Sequence, residues 1–338
     1  MPWTMPAETH SHDRTWMAFP VAGQTLGDTD AEREECYAAW SAVARAVAEF
    51  EPVTMLVDPS ETANARARLG DVAELVEAPV DEFWMRDHGP TFVLDPERPG
   101  VLGAVDWVFN GWGDRGWADF AKSARHGATI AALTDSELIA SALVNEGGGI
   151  HVDGHGTVLA TDTVQLDDHR NPDWTRAEVE AEFARTIGAE RVVWVPRGLT
   201  RDYDDFGTNG HIDIVATFPS PGRVLLHTQR DPAHPDHAVT AQLRELLTGE
   251  GFTVVELPAP ETIRDHEGLV DWSYVNHYVV NGGVIACGFG EERADAAARE
   301  ILADAYPGRR VVTVDARPIF ARGGGIHCIT QQQPSVSV

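Results

Sequence analysis

EGGGIHVDGHGTVLAT, residues 146–161, passes from a glycine-rich loop carrying acids and imidazoles directly into an apolar, β-branched stretch. That order reads as a loop feeding a strand, and the Asp153-Gly154 pair within it predicts a hairpin turn. The same design recurs in DHGPTFVLD from Asp87, TNGHIDIVATF from Thr208, VNHYVVNGGVIACGF from Val275 and GGGIHCIT from Gly323. A second set of short apolar segments keeps step with the first. These are AELVEAPV from Ala73, AALTD from Ala131, RVVWVPR from Arg191, TVVELPAP from Thr253 and RVVTVDARP from Arg310. The interval is roughly 60 residues, the size of one supersecondary unit.

The stretches between them carry helical periodicity. DAEREECYAAWSAVARAVAEF from Asp30 puts Cys36, Trp40, Val43, Ala44 and Val47 on one face, and segments from Thr175, His237 and Arg293 behave alike. The expected fold class is therefore α/β: a single domain over residues 1–338, built of five repeated units in a five-fold pseudosymmetric propeller. Closing a ring by repetition protects the sheet edges. The competing reading is an open α/β sheet whose spacing is coincidental. DPAHPDH from Asp231 predicts a surface loop, and the tail QQQPSVSV is expected to lend only its first residues to the fold.

Composition narrows the function. Acidic side chains outnumber basic ones 53 to 26, a formal charge of −27. Nucleic acid as a partner is disfavoured, because its phosphates need a basic face, and an acidic cleft draws small cations instead. No run reaches the roughly 18 apolar residues of a membrane span, and the N-terminus lacks the basic and apolar regions of a signal peptide. Three cysteines, Cys36, Cys287 and Cys328, make no disulfide framework, so a reduced cytoplasmic protein is expected.

The reactive groups concentrate in the glycine-rich elements. Cys287 in GGVIACGFG and Cys36 on the amphipathic helix read as packed thiols. Cys328 has polar neighbours and three preceding glycines, whose backbone amides suit a thiolate; it is a nucleophile or a structural thiol. His211 and Asp213 in GHID, two apart on an expected strand, face one side as an acid/base beside a charge-binding group, or form a satisfied polar pair. Asp87 is a ligand carboxylate, a turn residue or a partner of Arg86. Trp84 packs, or covers a cation. His151 and His155 in HVDGH lack helical metal-ligand spacing, so no metal site is expected. No phosphate-binding glycine motif is present, which removes support for a nucleotide cofactor.

Taken together, MPAE from Met5, WMRDHGPTFV from Trp84, FNGWG from Phe109, NEGGGIHVDGHGT from Asn145, GHID from Gly210 and GGGIHCITQQQP from Gly323 resemble the agmatine deiminase family. That family lies within the guanidino-group-modifying superfamily, which includes the peptidylarginine deiminases. The resemblance spans nearly the whole chain and implies a pentein-like propeller that works without metal or cofactor. It implies Cys328 as nucleophile on a guanidinium carbon, Asp87 and Asp213 as guanidinium ligands, and His211 as the proton-transfer group. The substrate is a small cationic guanidino compound, most simply agmatine, hydrolysed to N-carbamoylputrescine and ammonia on a route to putrescine. Trp84, Glu146, Asn209 and Trp112 are secondary substrate-binding candidates, with Glu146 equally placed to brace its glycine turn. Thr9, Asn209 and Ile214 depart from the family pattern of an aromatic, Asp and Asn, which leaves another guanidino substrate in play. A homo-oligomer is compatible with the sequence. A metal-dependent hydrolase around His151 and a non-catalytic binder of a cationic metabolite are the readings from other classes.

Overall fold

The computed structural model describes residues 3–265 and 268–336. Sixteen strands form five small sheets. The first holds β1 (His12–Ala18), β2 (Val53–Val57) and β3 (Ala73–Glu77), with β16 (Gln331–Pro334) returning from the far end of the chain. The second holds β4 (Thr91–Leu94), β5 (Leu102–Val108) and β6 (Glu137–Val144). The third holds β7 (Ile150–Val152), β8 (Thr157–Thr161) and β9 (Arg191–Val195). The fourth holds β10 (Ala216–Ser220), β11 (Arg223–Thr228) and β12 (Thr253–Pro258), and the fifth β13 (Tyr278–Val280), β14 (Gly283–Gly288) and β15 (Arg310–Asp315).

Each of the last four sheets follows one path. An antiparallel pair comes first, then a helical crossover, then a third strand parallel to the second. The crossover helices are α2 (His126–Leu133), α3 (Arg176–Ile187), α4 (Pro235–Gly249) and α5 (Glu292–Ala305), while α1 (Asp30–Ala48) joins β1 to β2. Parallel neighbours need such a crossover, which explains why helical periodicity alternates with strand signals in the sequence. Thr29 with Glu32 and Thr175 with Glu178 cap α1 and α3 reciprocally, satisfying first-turn amides that have no partner within the helix. Gly188 ends α3 with φ 72°, a left-handed conformation that a side chain disfavours.

β16 pairs antiparallel with β1, Trp16 opposite Gln331, and the Trp16 indole donates to Gln333 Oε1 at 3.0 Å. The strand from the far end of the chain thus completes the first sheet and ties the two ends of the chain together. Trp40 of α1 is fully buried and meets Phe83 and Trp84 edge-on, with centroids 5.1 and 5.5 Å apart. This contact carries the core to the wall of the site.

Two local expectations are corrected. AALTD from Ala131 belongs to the end of α2, and the strand begins at Glu137; short apolar runs do not separate buried helix from strand by periodicity. DPAHPDH is a loop only in its first half. His234 accepts from the Asp236 amide at the start of α4, and the buried Asp236 carboxylate accepts from the Thr200 amide and hydroxyl at 2.8 and 2.6 Å.

The innermost strand of each sheet follows a tight turn. Met85–His88 precedes β4, Gly147–Gly149 precedes β7, Ile212–Ile214 precedes β10 and His327–Ile329 precedes β16. In the fifth unit Asn276 stands just before β13. The turns of several units pack on one another, so five distant stretches of chain contribute side chains to a single place.

Candidate active site

Cys328 sits in the turn before β16, buried, with its thiol 3.5 Å from Asp213 Oδ2. The Asn276 amide donates to its sulfur at 3.3 Å and the Gly325 backbone N–H at 3.4 Å. Asp213 and His211 come from the turn before β10. That turn is a single 3-10 turn, not the strand expected, so a shared strand face is not what brings the pair together. His211 Nε2 lies 3.3 Å from Glu146 Oε2, and its Nδ1 lies 3.7 Å from Asp87 Oδ1. Asp87 accepts from the Trp112 indole at 2.9 Å and the Gly148 amide at 3.1 Å. Arg86 makes no contact with it; that guanidinium donates to Gln332 Oε1 at 2.8 Å and to the His327 carbonyl.

Gly148 marks the point of convergence. A Cβ added there would meet His211 Nδ1 at 2.5 Å, Asp87 Oδ1 at 2.9 Å and Asp213 Oδ2 at 3.1 Å. Gly324 does the same on the thiol side, where a Cβ would lie 2.8 Å from the Trp84 ring and 3.1 Å from Cys328 Sγ. The glycine-rich loops are the reason four reactive groups can be neighbours.

Buried together, these groups shift one another. Burial disfavours charge on His211, but Asp87, Glu146 and Asp213 outweigh it and hold the imidazole up at about 9. Burial, aided by the charges of Asp213 and Glu146, pushes Asp87 up to about 6 although His211 pulls it down. Burial also presses on Asp213, yet its bond to His327 keeps it below the ordinary carboxylate range. The Cys328 thiol is driven well above its usual value by burial and then by Asp213 and Asp87, against the pull of the Gly325 amide and Asn276. The backbone amide of its glycine setting is therefore outweighed: burial and the two carboxylates beside it favour the neutral thiol.

A closed cavity of about 20 Å³ is lined by Cys328, Asp87, Trp84 and Trp112, with Trp117 and Phe206 on its outer side. Trp112 stacks on Trp117 with centroids 5.4 Å apart, and Trp117 meets the half-exposed Phe206 at 5.3 Å. Beyond Phe206 and Gly323 lies a cavity of about 450 Å³ that carries Asp204, Asp205 and Asp271.

Among the secondary candidates, Trp84 and Trp112 face the small cavity. Glu146 is fully buried behind His211, gripped by Arg170 Nε at 3.0 and 3.1 Å, and acts on the imidazole rather than lining the cavity. Asn209, in the left-handed region with φ 69°, donates to Asp167 Oδ2 at 2.7 Å on the far side of that support. Of the three departures, Ile214 packs in an apolar cluster, and neither it, Thr9 nor Asn209 lines either cavity. Asn276 and Arg170 are the functional residues missed by the sequence reading. Asn276 occupies in the fifth unit the place that the other units fill with site residues, a signal the repeat itself carried; Arg170 had none.

Glu8, His151 and His327 bring three potential metal-ligand atoms within 4.8 Å of one another. Each imidazole is already engaged on both nitrogens. His151 accepts from the Phe218 amide and meets the Thr217 hydroxyl, while His327 lies between two carboxylates. The Arg86 guanidinium is 3.9 Å from Glu8, so the cluster is already charge-compensated and offers a cation little.

A propeller whose hub holds a thiol, an imidazole and paired carboxylates defines a pentein-type cysteine centre. The chain belongs to the Porphyromonas-type peptidyl-arginine deiminase family, which it matches over residues 4–334. It is 52% identical over 341 residues, 99% of each chain, to a Streptomyces coelicolor protein carrying a provisional agmatine deiminase name. It is 37% identical to the agmatine deiminase of Ectopseudomonas mendocina, across 98% of this chain and 95% of that one. The solved agmatine deiminase of Enterococcus faecalis shares the fold with a TM-score of 0.90 at 28% identity, covering 99% of this chain and 96% of that one.

Proposed function

We propose that the chain is a cysteine-dependent hydrolase that deiminates agmatine to N-carbamoylputrescine and ammonia, working as one catalytic domain. The observation that carries the reading is the convergence of Asp87, His211, Asp213 and Cys328 on the two glycines, Gly148 and Gly324. The relatives named as agmatine deiminases support the choice of substrate.

In this mechanism the guanidinium enters between Asp87 and Asp213, which hold its plane with charge-assisted hydrogen bonds. The incoming positive charge offsets the two carboxylates that keep the thiol neutral, so Cys328 ionises as substrate binds. The thiolate adds to the guanidinium carbon. His211, protonated at neutral pH, gives its proton to the departing nitrogen, which leaves as ammonia. The resulting thiouronium carbon is attacked by water, whose proton returns to the now neutral His211. The C–S bond then breaks as the remaining hydroxyl proton passes to the departing sulfur, releasing the neutral ureido product and restoring the resting thiol. Splitting the reaction into two covalent stages suits a resonance-stabilised, weakly electrophilic centre. Proton transfer by a placed imidazole typically contributes about 10²–10⁴-fold.

A cavity of about 20 Å³ is too small for a guanidinium, so substrate entry requires Phe206 or Trp117 to swing aside. The acidic cavity outside them has the charge to receive a cationic aminobutyl tail. The test is ammonia release from agmatine, arginine, simpler alkylguanidines and guanidinobutyrate, with Cys328→Ala as control. Turnover of agmatine that vanishes in the variant is the expected result. Turnover of another guanidine alone would overturn the substrate, and undiminished release by the variant would overturn the mechanism.

A further inference from the structure

The mechanism above uses the second, fifth and last motif blocks and leaves MPAE unexplained, although Glu8 at its end is buried within reach of the site. The Glu8 carboxylate is fixed at both oxygens. Oε1 accepts from the Val279 amide of β13 at 2.7 Å, and Oε2 lies 2.9 Å from His327 Nε2. The other nitrogen of the same ring, Nδ1, lies 2.8 Å from Asp213 Oδ2. Ionised carboxylates only accept, so a ring bonded to one on each side carries a proton on both nitrogens. His327 is then an imidazolium clamped between two acids. Among the described residues Asp213 Oδ1 is meanwhile buried without a hydrogen-bond partner, while Oδ2 lies at the point of convergence, 3.1 Å from a Cβ placed on Gly148.

We propose that Glu8 is a positioning residue: through a charged His327 it fixes Oδ2 of Asp213 where the reactive groups converge, and leaves Oδ1 unengaged for the guanidinium. The device also adjusts charge. Asp213 Oδ2 presses the Cys328 thiol towards its neutral form from 3.5 Å, and the imidazolium bonded to that same oxygen offsets part of the burden. The remaining groups around the ring are accounted for. Arg86 opposes its charge but is held off by Gln332 and by the face of Tyr278, 5.8 Å away. His151 and His277, both kept neutral by burial, contribute none. Four motif blocks scattered along the chain, those of Glu8, Arg86, Asp213 and His327, are thereby one buried network.

The inference rests on the deiminase reading for its consequence, but its central element can be read without substrate. Nitrogen NMR of protein labelled at histidine, with His327→Gln used to assign the signal, should show both ring nitrogens of His327 protonated at pH 8, where a free histidine is neutral. In Glu8→Gln the same ring should titrate at lower pH. That variant should lose at least tenfold in kcat/KM at pH 8. It should also gain an alkaline limb below the one set by His211, because loss of the ring's charge leaves Asp213 uncompensated and the thiol harder to ionise. Glu8→Asp, which keeps the charge, should restore the wild-type profile even if its rate stays lower. A neutral His327 in the wild-type protein at pH 8 overturns the proposal whatever the substrate proves to be. So does a Glu8→Gln protein with unchanged kcat/KM and pH profile.

Discussion

Cys287 and Cys328 share a neighbour. On one side of Asn276, Cys287 donates its thiol to the backbone carbonyl at 3.1 Å; on the other, Cys328 receives the side-chain amide at 3.3 Å. Both are buried, both follow a run of glycines, and both thiols are shifted upward, Cys287 to about 12 and Cys328 well above its ordinary value. Neither is a resting thiolate. What separates them is the kind of obstacle. Cys287 lies on β14 in the apolar core, where desolvation dominates and nothing can enter to relieve it. At Cys328, burial is joined by two carboxylates, of which Asp87 faces the small cavity, and in the proposed mechanism a cation placed between them cancels their effect. On that reading reactivity belongs to a removable charge rather than to a low intrinsic pKa.

The widest separation between the two is expected from alanine replacements. Cys328→Ala should lower kcat for ammonia release by at least about 10⁴-fold, since the covalent route is lost. Cys287→Ala should leave kcat within a few-fold and cost about 1–2 kcal/mol in urea unfolding, the scale of one small buried apolar group. Equal kinetic damage from both would dissolve the distinction. A step smaller is Gly148→Ala. Its new methyl would press on His211 Nδ1 and both guanidinium-binding carboxylates at once, and misplacement on the ångström scale can cost about 10² in rate. A Gly148→Ala enzyme with wild-type kcat would mean that these groups do not act from the positions described.

Much of this was legible in the sequence because the fold repeats. A loop-to-strand transition every unit fixes where the inner strands begin, and the residues just before them are those that meet at the hub. Asp87, His211, Asp213 and Cys328 stand out there because glycine surrounds them. Asn276 stands in the same place but next to Val275 and His277, where only strict use of the repeat would have singled it out. Glu146 and Arg170 illustrate a different limit. A carboxylate beside three glycines looks like a ligand group, and nothing local reveals that Arg170, from the loop before α3, turns it away from the cavity and onto His211. The AALTD segment failed for a simpler reason: alanine and leucine suit the buried end of a helix as well as a strand.

The finest test of the comparison uses alkylation, where no turnover is needed. A cationic haloacetamidine carries its own positive charge into the site, whereas neutral iodoacetamide does not. Each unit by which a bound cation lowers the Cys328 pKa raises the thiolate fraction about tenfold. Cys328 should therefore label about tenfold or more faster with the cation than with the neutral reagent, while Cys36 and Cys287, both held up near 12 chiefly by burial, stay slow with each. The preference should depend on pH in a definite direction. Asp87 is raised to about 6, so its charge is present above that value and lost as pH falls through it. The cation's advantage should shrink on the acid side of 6, and Asp87→Asn should flatten that limb while raising the neutral reagent's rate, because one of the charges that keeps the thiol neutral is gone. If the two reagents label Cys328 at one rate across that range, the carboxylates are not what holds the thiol in its resting state, and the contrast with Cys287 must lie in access alone.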